Sequence, residues 1–273
     1  MISVIKEIYS RRSLLAELII KDLKVRYSIP ALGFFWAFLS PFLMAGVFYI
    51  VFIQILKVQI EEAPFFLYLM SAVFPWSFFQ NSIMGSVTSL VDNRNIVREA
   101  NFPHYLIPVS VVLANAVIFL PSLLILIIIS ACVLKGLPFI FLFFPLIFIL
   151  HLVITAGLAV LFSVLYVRWR DLKYLLEVIL ILLLYLTPAF YSLSLIKASF
   201  SPALFNVYIY NPFVGILNLY RIALLKGFYA QLPDYATSVV LLFQPLIFAV
   251  IILIISTVVY LRAKNKINDY LAY

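Results

Sequence analysis

The residues of this chain with the chemistry to act on something are few and scattered. Asn218 and Arg221 stand one turn apart on one face of IYNPFVGILNLYRIALLKG, residues 209–227. Asn211 suits the cap of a helix there, Pro212 its first turn and Gly227 its end. Such a helix, about 15 residues and about 22 Å long, falls short of a bilayer core of roughly 30 Å. His151 and Glu177 are polar groups inside apolar runs. A helix-to-helix hydrogen bond suits the first, and a pairing with Lys173 suits the second. Coupling to protons or sodium calls for carboxylates or histidines deep in a span. Here ten of the 11 acidic residues lie in loops, tails or flanks. Catalysis calls for such groups gathered at one face, and they are dispersed. Two histidines and one cysteine argue against a His/Cys metal site, and Cys132 alone rules out an internal disulfide framework. Neither G-x-x-x-x-G-K-[ST] nor G-x-G-x-x-G occurs, so no recognised ATP cradle is present. No catalytic residue, metal or cofactor is expected within this chain.

The elements that carry these residues are set by composition. Of 273 residues 66% are hydrophobic and 11% charged, with a mean hydropathy of +1.17. Soluble domains are nearer 45–50% apolar and about 25% charged. The reading is an all-α integral membrane protein of one domain. Six apolar runs are long enough to span: Gly33–Leu56, Phe65–Val91, Leu106–Leu134, Phe139–Val167, Tyr174–Leu195 and Ala236–Leu261. Unpaired backbone is not tolerated in hydrocarbon, so helices are expected. With both termini cytoplasmic, only five of the 19 Lys and Arg fall outside: Lys57, Lys135, Lys197, Arg221 and Lys226. The excess of positive charge inside supports that orientation. The net charge of +8 flanks apolar runs and forms no single stripe, so nucleic acid is not the expected partner. No cleavable signal peptide is visible, because charge is interspersed through the first 30 residues.

Two polar segments stand out. In residues 1–31, Ile2, Ile5, Ile8, Leu14, Leu15, Leu18 and Ile19 recur at helical spacing between charges, the pattern of an interfacial helix that turns into the first span near Pro30. The loop VDNRNIVREANFPHYLIP, 91–108, joins the second and third spans. A short helix is expected in it, capped by Asp92 or Asn93 and ended by Pro103. Ile96, Val97 and Phe102 are then apolar side chains placed in water, suited to docking in a groove of a soluble partner, or to an interfacial turn.

Residues 196–235 lie between the fifth and sixth spans. Their helix at 212–226 is either an anchor with Tyr220 and Arg221 at headgroup level or an element dipping into the mouth of a pathway. Pro41, Pro75 and Pro188 interrupt spans, and Pro188 in LYLTPAFYS is placed to kink the fifth helix. Aromatics within spans, Tyr49, Trp76, Phe78, Phe79 and Tyr185, suit either core packing or a path for sugar rings.

Five stretches then occur in a telling order: RYSIPALGFFWAFLSPF (26–42), FPWSFFQNSI (74–83), NIVREANFPHYLIP (95–108), VRWRDLKYLLEVILILLLYLTPAFYS (167–192) and YNPFVGILNLYRIALLKG (210–227). Together they resemble the membrane permease of ABC exporters for lipid-linked polysaccharide, the O-antigen and teichoic-acid branch. The resemblance implies one transmembrane permease domain in the inner membrane, paired as a homodimer around a central channel and driven by a separate ABC ATPase that holds ATP and Mg. It implies an amphipathic interface segment at 1–31 and a coupling loop at 92–104. In that loop Asn95, Ile96, Val97, Arg98, Glu99, Asn101 and Phe102 would meet the ATPase. It implies outer gate helices in 196–235, with Pro188, Asn211, Pro212, Asn218, Tyr220 and Arg221 as gate residues. Tyr49, Trp76, Phe79 and Tyr185 would line the channel, Lys24 and Arg26 would meet the lipid diphosphate, and the first and fifth spans would lie near the dimer seam. An ABC permease for another cargo, such as a drug or lipid, and a membrane enzyme or scaffold for lipid-linked sugars are the competing readings.

Overall fold

The computed structural model describes residues 10–27, 33–55, 57, 63–98 and 102–267, and all their regular structure is helical. Three of the expected spans form helices that are by themselves long and apolar enough to cross a membrane: Leu106–Val133, Phe139–Arg168 and Thr237–Ala263. The helices are α1 (Arg12–Tyr27), α2 (Gly33–Tyr49, continued by a π turn at Ile50–Ile55), α3 (Phe65–Val87), the short α4 (Ser89–Asp92) and α5 (Arg94–Val97), and α6 (Leu106–Val133). There follow a 3₁₀ turn at Phe139–Phe143, α7 (Phe144–Arg168), α8 (Leu172–Tyr185), α9 (Leu193–Ser199), α10 (Pro202–Ile209), α11 (Pro212–Leu224), a second 3₁₀ turn at Phe228–Gln231, and α12 (Tyr235–Ala263).

The hub is α3. It packs against α2, α6, α7, α8 and α11, and most of its 23 residues are buried. A helix surrounded by neighbours needs no amphipathic stripe, which is why FFLYLMSAVFPWSFF reads as apolar on every side. Pro75 sits within α3 without ending it. The other close seams are α7 with α12 and α11 with α12. Backbones approach closely there: a Cβ on Gly157 would lie 2.7 Å from Ile252 Cγ2, and one on Gly215 would lie 2.4 Å from Gln244 Nε2.

The fifth apolar run departs from expectation. It does not form one helix over 174–195 with a kink. The helix α8 stops after 14 residues, residues 186–191 turn, and α9 begins at Leu193. Proline lacks the helical N–H, clashes with the carbonyl one turn back and drives its predecessor out of the helical region. Packing carries α3 through its proline, but α8 has only Leu176 and Leu180 buried to hold it. The break at Pro188 is therefore complete. The expected Glu177–Lys173 pairing does not form, and Glu177 is exposed.

Candidate functional site

Two places gather the residues singled out by the sequence, one at each end of the bundle. At the first end, α1 lies against the start of α6, with Leu15 and Leu18 buried among Tyr105 and Leu106. Ser110 donates from its hydroxyl to Asp22 Oδ2 at 3.2 Å, and Lys21 hydrogen-bonds to Asn93 Oδ1. Residues 88–98 form two helical turns, not one helix. Asn93 stands between them, its Nδ2 donating to the Ser89 carbonyl at 2.8 Å.

The loop corrects one expectation. Val97 does not face water: it is fully buried with Leu90, Ile107, Val164, Val167 and Ile267. Phe102 packs against the same cluster, and Ile96 packs beside Leu15 and Leu18. The chain's own helix ends supply the apolar partners that the sequence left to a foreign groove. The loop is thereby built as a platform seated on those helix ends, and the side chains that its described residues present outward are polar: Asp92, Arg94, Asn95 and Arg98. Beneath it His104 is buried, with Nε2 donating to the Val97 carbonyl at 3.2 Å. Burial holds its imidazole below the ordinary value, against a smaller upward pull from that hydrogen bond. Lys24 is exposed at the same end. The Arg26 side chain, Glu99 and Asn101 lie outside the described residues, as do residues 1–9 and Pro30.

At the opposite end the short helix α11 is buried along its whole length. Asn211 caps it as expected, its Oδ1 accepting from Phe213 N at 3.1 Å. It ends at Leu224, two residues earlier than predicted, where the carbonyl accepts from Ser130 Oγ at 2.5 Å. Gly227 then supplies a left-handed residue, φ 89°, for the turn that follows. Arg221 and Tyr220 have no solvent exposure, so they are not headgroup anchors. The Arg221 guanidinium carbon lies 3.5 Å from the centre of the Tyr68 ring, and Nη2 donates to the Ala189 carbonyl at 3.2 Å. Tyr68 donates its hydroxyl to the Tyr191 carbonyl at 2.8 Å. The break after α8 is thus tied to the core by two side chains. Phe190 adds a third tie, stacked on Phe52 at 5.6 Å and tilted against Phe48 at 4.4 Å. Pro188 is buried in the same turn. Tyr220 and His151 Nδ1 are hydrogen-bonded at 3.2 Å, the helix-to-helix link expected of that histidine.

The four aromatics considered for a path separate into two pairs. Trp76 and Phe79 are buried in the core and pack on Phe213 of α11 at 5.7 Å and 4.6 Å. Tyr49 is half-buried against Phe66, and Tyr185 is 54% exposed. The side chains around Arg221 give no hint of their proximity in sequence, since Tyr68, Ala189 and Arg221 are far apart in the chain.

Residues 13–225 match the family described as the ABC-2 type transporter, more than three quarters of the chain, from α1 through α11. The chain belongs to that family. Similar proteins agree in kind. The chain is 30% identical over 249 residues, covering 89% of it and 93% of the relative, to the O-antigen export system permease protein RfbA of Myxococcus xanthus. It is 29% identical over 218 residues, 76% of it and 78% of the relative, to the protein of the same name from Klebsiella pneumoniae. In this ABC-2 permease the buried α11 closes the matched region, and the 88–98 platform lies within it.

Proposed function

We propose that this ABC-2 chain is the permease subunit of an ATP-driven exporter that moves a lipid-linked polysaccharide, O antigen or similar, across the inner membrane. The observation that carries the reading is the 30% identity to an O-antigen export permease along nearly the full length of both proteins. In this proposal two copies form one channel, both termini are cytoplasmic, and six segments span. The fifth span is α8 completed by the turn at 186–191. The ATPase is a separate subunit and carries ATP and Mg. Asp92, Arg94, Asn95 and Arg98 form the polar contact with it, and Val97 and Phe102 hold that contact rigid from beneath. The outer gate is α9–α11 with the turn at Pro188. It opens by releasing the ties from Arg221 to Ala189 and from Tyr68 to Tyr191. Tyr185 and Tyr49 face the path. Lys24 meets the lipid diphosphate near the cytoplasmic surface, a role its exposure allows.

A permease for another cargo is the competing reading within the family. Purification of the tagged chain from its native membrane in mild detergent, with mass spectrometry of what accompanies it, tests the subunit reading. A stoichiometric ATPase with Walker motifs is expected. A chain that purifies reproducibly alone, under conditions that preserve other membrane complexes, would overturn it. Restoration of surface glycan in a strain lacking the chain tests the cargo.

A further inference from the structure

A narrow cleft lies between α3 and α6, well inside both helices. Ser77 and Asn81 line it from α3, Asn115 and Ser122 from α6, over a floor made by Phe78 and Phe119. The two rings are stacked, with centroids 5.3 Å apart. The void is about 30 Å³, room for one or two water-sized groups. Ser77 and Ser122 lie near the middles of their helices, and the two asparagines lie about a turn or two closer to the 88–98 platform. The polar side chains thus form two rungs along one seam.

Asn115 donates from Nδ2 to the Val111 carbonyl at 2.9 Å, whereas the other three have no such bond, a lack shared outside the cleft by buried Ser82 of α3. A helical serine in an apolar setting ordinarily returns its hydroxyl to a carbonyl one turn back. Ser71 and Ser89 of the preceding segments and Ser110 of α6 do so. Ser130 reaches the Leu224 carbonyl. Ser77, Asn81 and Ser122 have no hydrogen bond among the described residues, although Ser122 is only 3% exposed. In a bilayer no water stands by to satisfy such groups, and leaving them unpaired costs free energy. They are placed for a ligand that brings its own donors and acceptors. No charged side chain lines the cleft among the described residues, so it offers nothing to a phosphate. Hydroxyls and amides over an aromatic floor suit neutral hydroxyl or acetamido groups.

We infer that the Ser77–Asn81–Asn115–Ser122 seam is a contact site for the neutral sugar portion of the cargo, taking single hydroxyl or acetamido groups as the chain slides past. This rests on the export reading above. Individually weak, uncharged contacts hold a polymer without trapping it.

The test uses the full chain with its partner subunits in cells that make the glycan. A photoreactive benzophenone amino acid replaces Ile118, which lines the cleft without a polar group, and adducts are stained for carbohydrate. A glycan adduct at position 118 is the expected result. Adducts to lipid or a second copy alone, while surface glycan is still produced, would overturn the seam and leave export standing. Failure of the wild-type chain to restore surface glycan would overturn both. In parallel, Asn81→Leu and Ser122→Val should lower export at least fivefold at unchanged membrane abundance, whereas Asn81→Gln keeps more than half. Apolar variants that export like wild type would refute the site.

Discussion

Val97 shows how one side chain changes the meaning of a segment. Because it is sealed among five helix-end residues, Val97→Ala should cost roughly 2 kcal/mol through lost transfer energy and a residual cavity. Thermal unfolding in detergent measures it. Arg94→Ala, on the outward face, should leave unfolding unchanged while reducing co-purification of the ATPase. His104 gives the platform a pH dependence with a definite sign. Its folded-state value is depressed below 6.5, so its contribution is fully present above that pH and is lost as the pH falls from there toward the folded-state value. Proteolytic access to the 88–104 loop should therefore rise between pH 7 and pH 5, and His104→Gln should flatten the profile. At the other end Tyr68→Phe removes the bond to the Tyr191 carbonyl and leaves a carbonyl unpaired. A loss of about 1–2 kcal/mol is expected on unfolding.

Among the elements, α11 is the one whose placement decides most. Gly215 lets it approach α12 so closely that a Cβ would strike Gln244 and Pro245. Gln244 Nε2 also donates to the Asn211 carbonyl at 2.9 Å. Gly215→Ala should force that side chain aside and reduce the folded, membrane-inserted yield, read by fluorescence-detected gel filtration. The start of α12 is fixed by Asp234, which accepts from Thr237 N at 2.6 Å and pairs with Lys197 of α9 at 2.5 Å. That pair, helped by the Thr237 amide, lowers the carboxyl to about 2. A depressed carboxylate contributes above its unfolded value and fades only as pH falls through about 2, so no change is expected across pH 5–8. The capping of α11 by Asn211 and the link from His151 could be read from the sequence, because both follow from short-range geometry and the need to satisfy a buried polar group. The break at Pro188 was legible as a disturbance but not as a stop, since the outcome depends on how little packs against α8. The burial of Val97 was not legible at all. Its partners come from α4, the start of α6, the end of α7 and the stretch beyond α12, and periodicity within a loop cannot say what a fold brings to meet it.

For the molecule as a whole, the exposed apolar faces say where more surface must be covered. Along α8, Leu175, Val178, Leu182 and Tyr185 are all exposed, whereas only two residues turn inward. Lipid covers such a face in a single copy. In the proposed dimer part of it meets the second copy. A Leu182→Cys variant in a Cys132→Ser background should form disulfide-linked dimers in membranes on mild oxidation. The same cysteine at Leu124 of α6, also exposed, should not. Equal crosslinking at both positions would place the seam elsewhere. The buried Arg221 bears on energetics of a different sort. Moving one elementary charge across a whole membrane is worth about 2.3 kcal/mol per 100 mV. If α11 shifts when the gate opens, it carries a guanidinium through part of that field. The resting potential of the cell then becomes a term in the gating equilibrium beside the charge of the lipid diphosphate itself, and the voltage response of transport in proteoliposomes should change in Arg221→Gln relative to wild type.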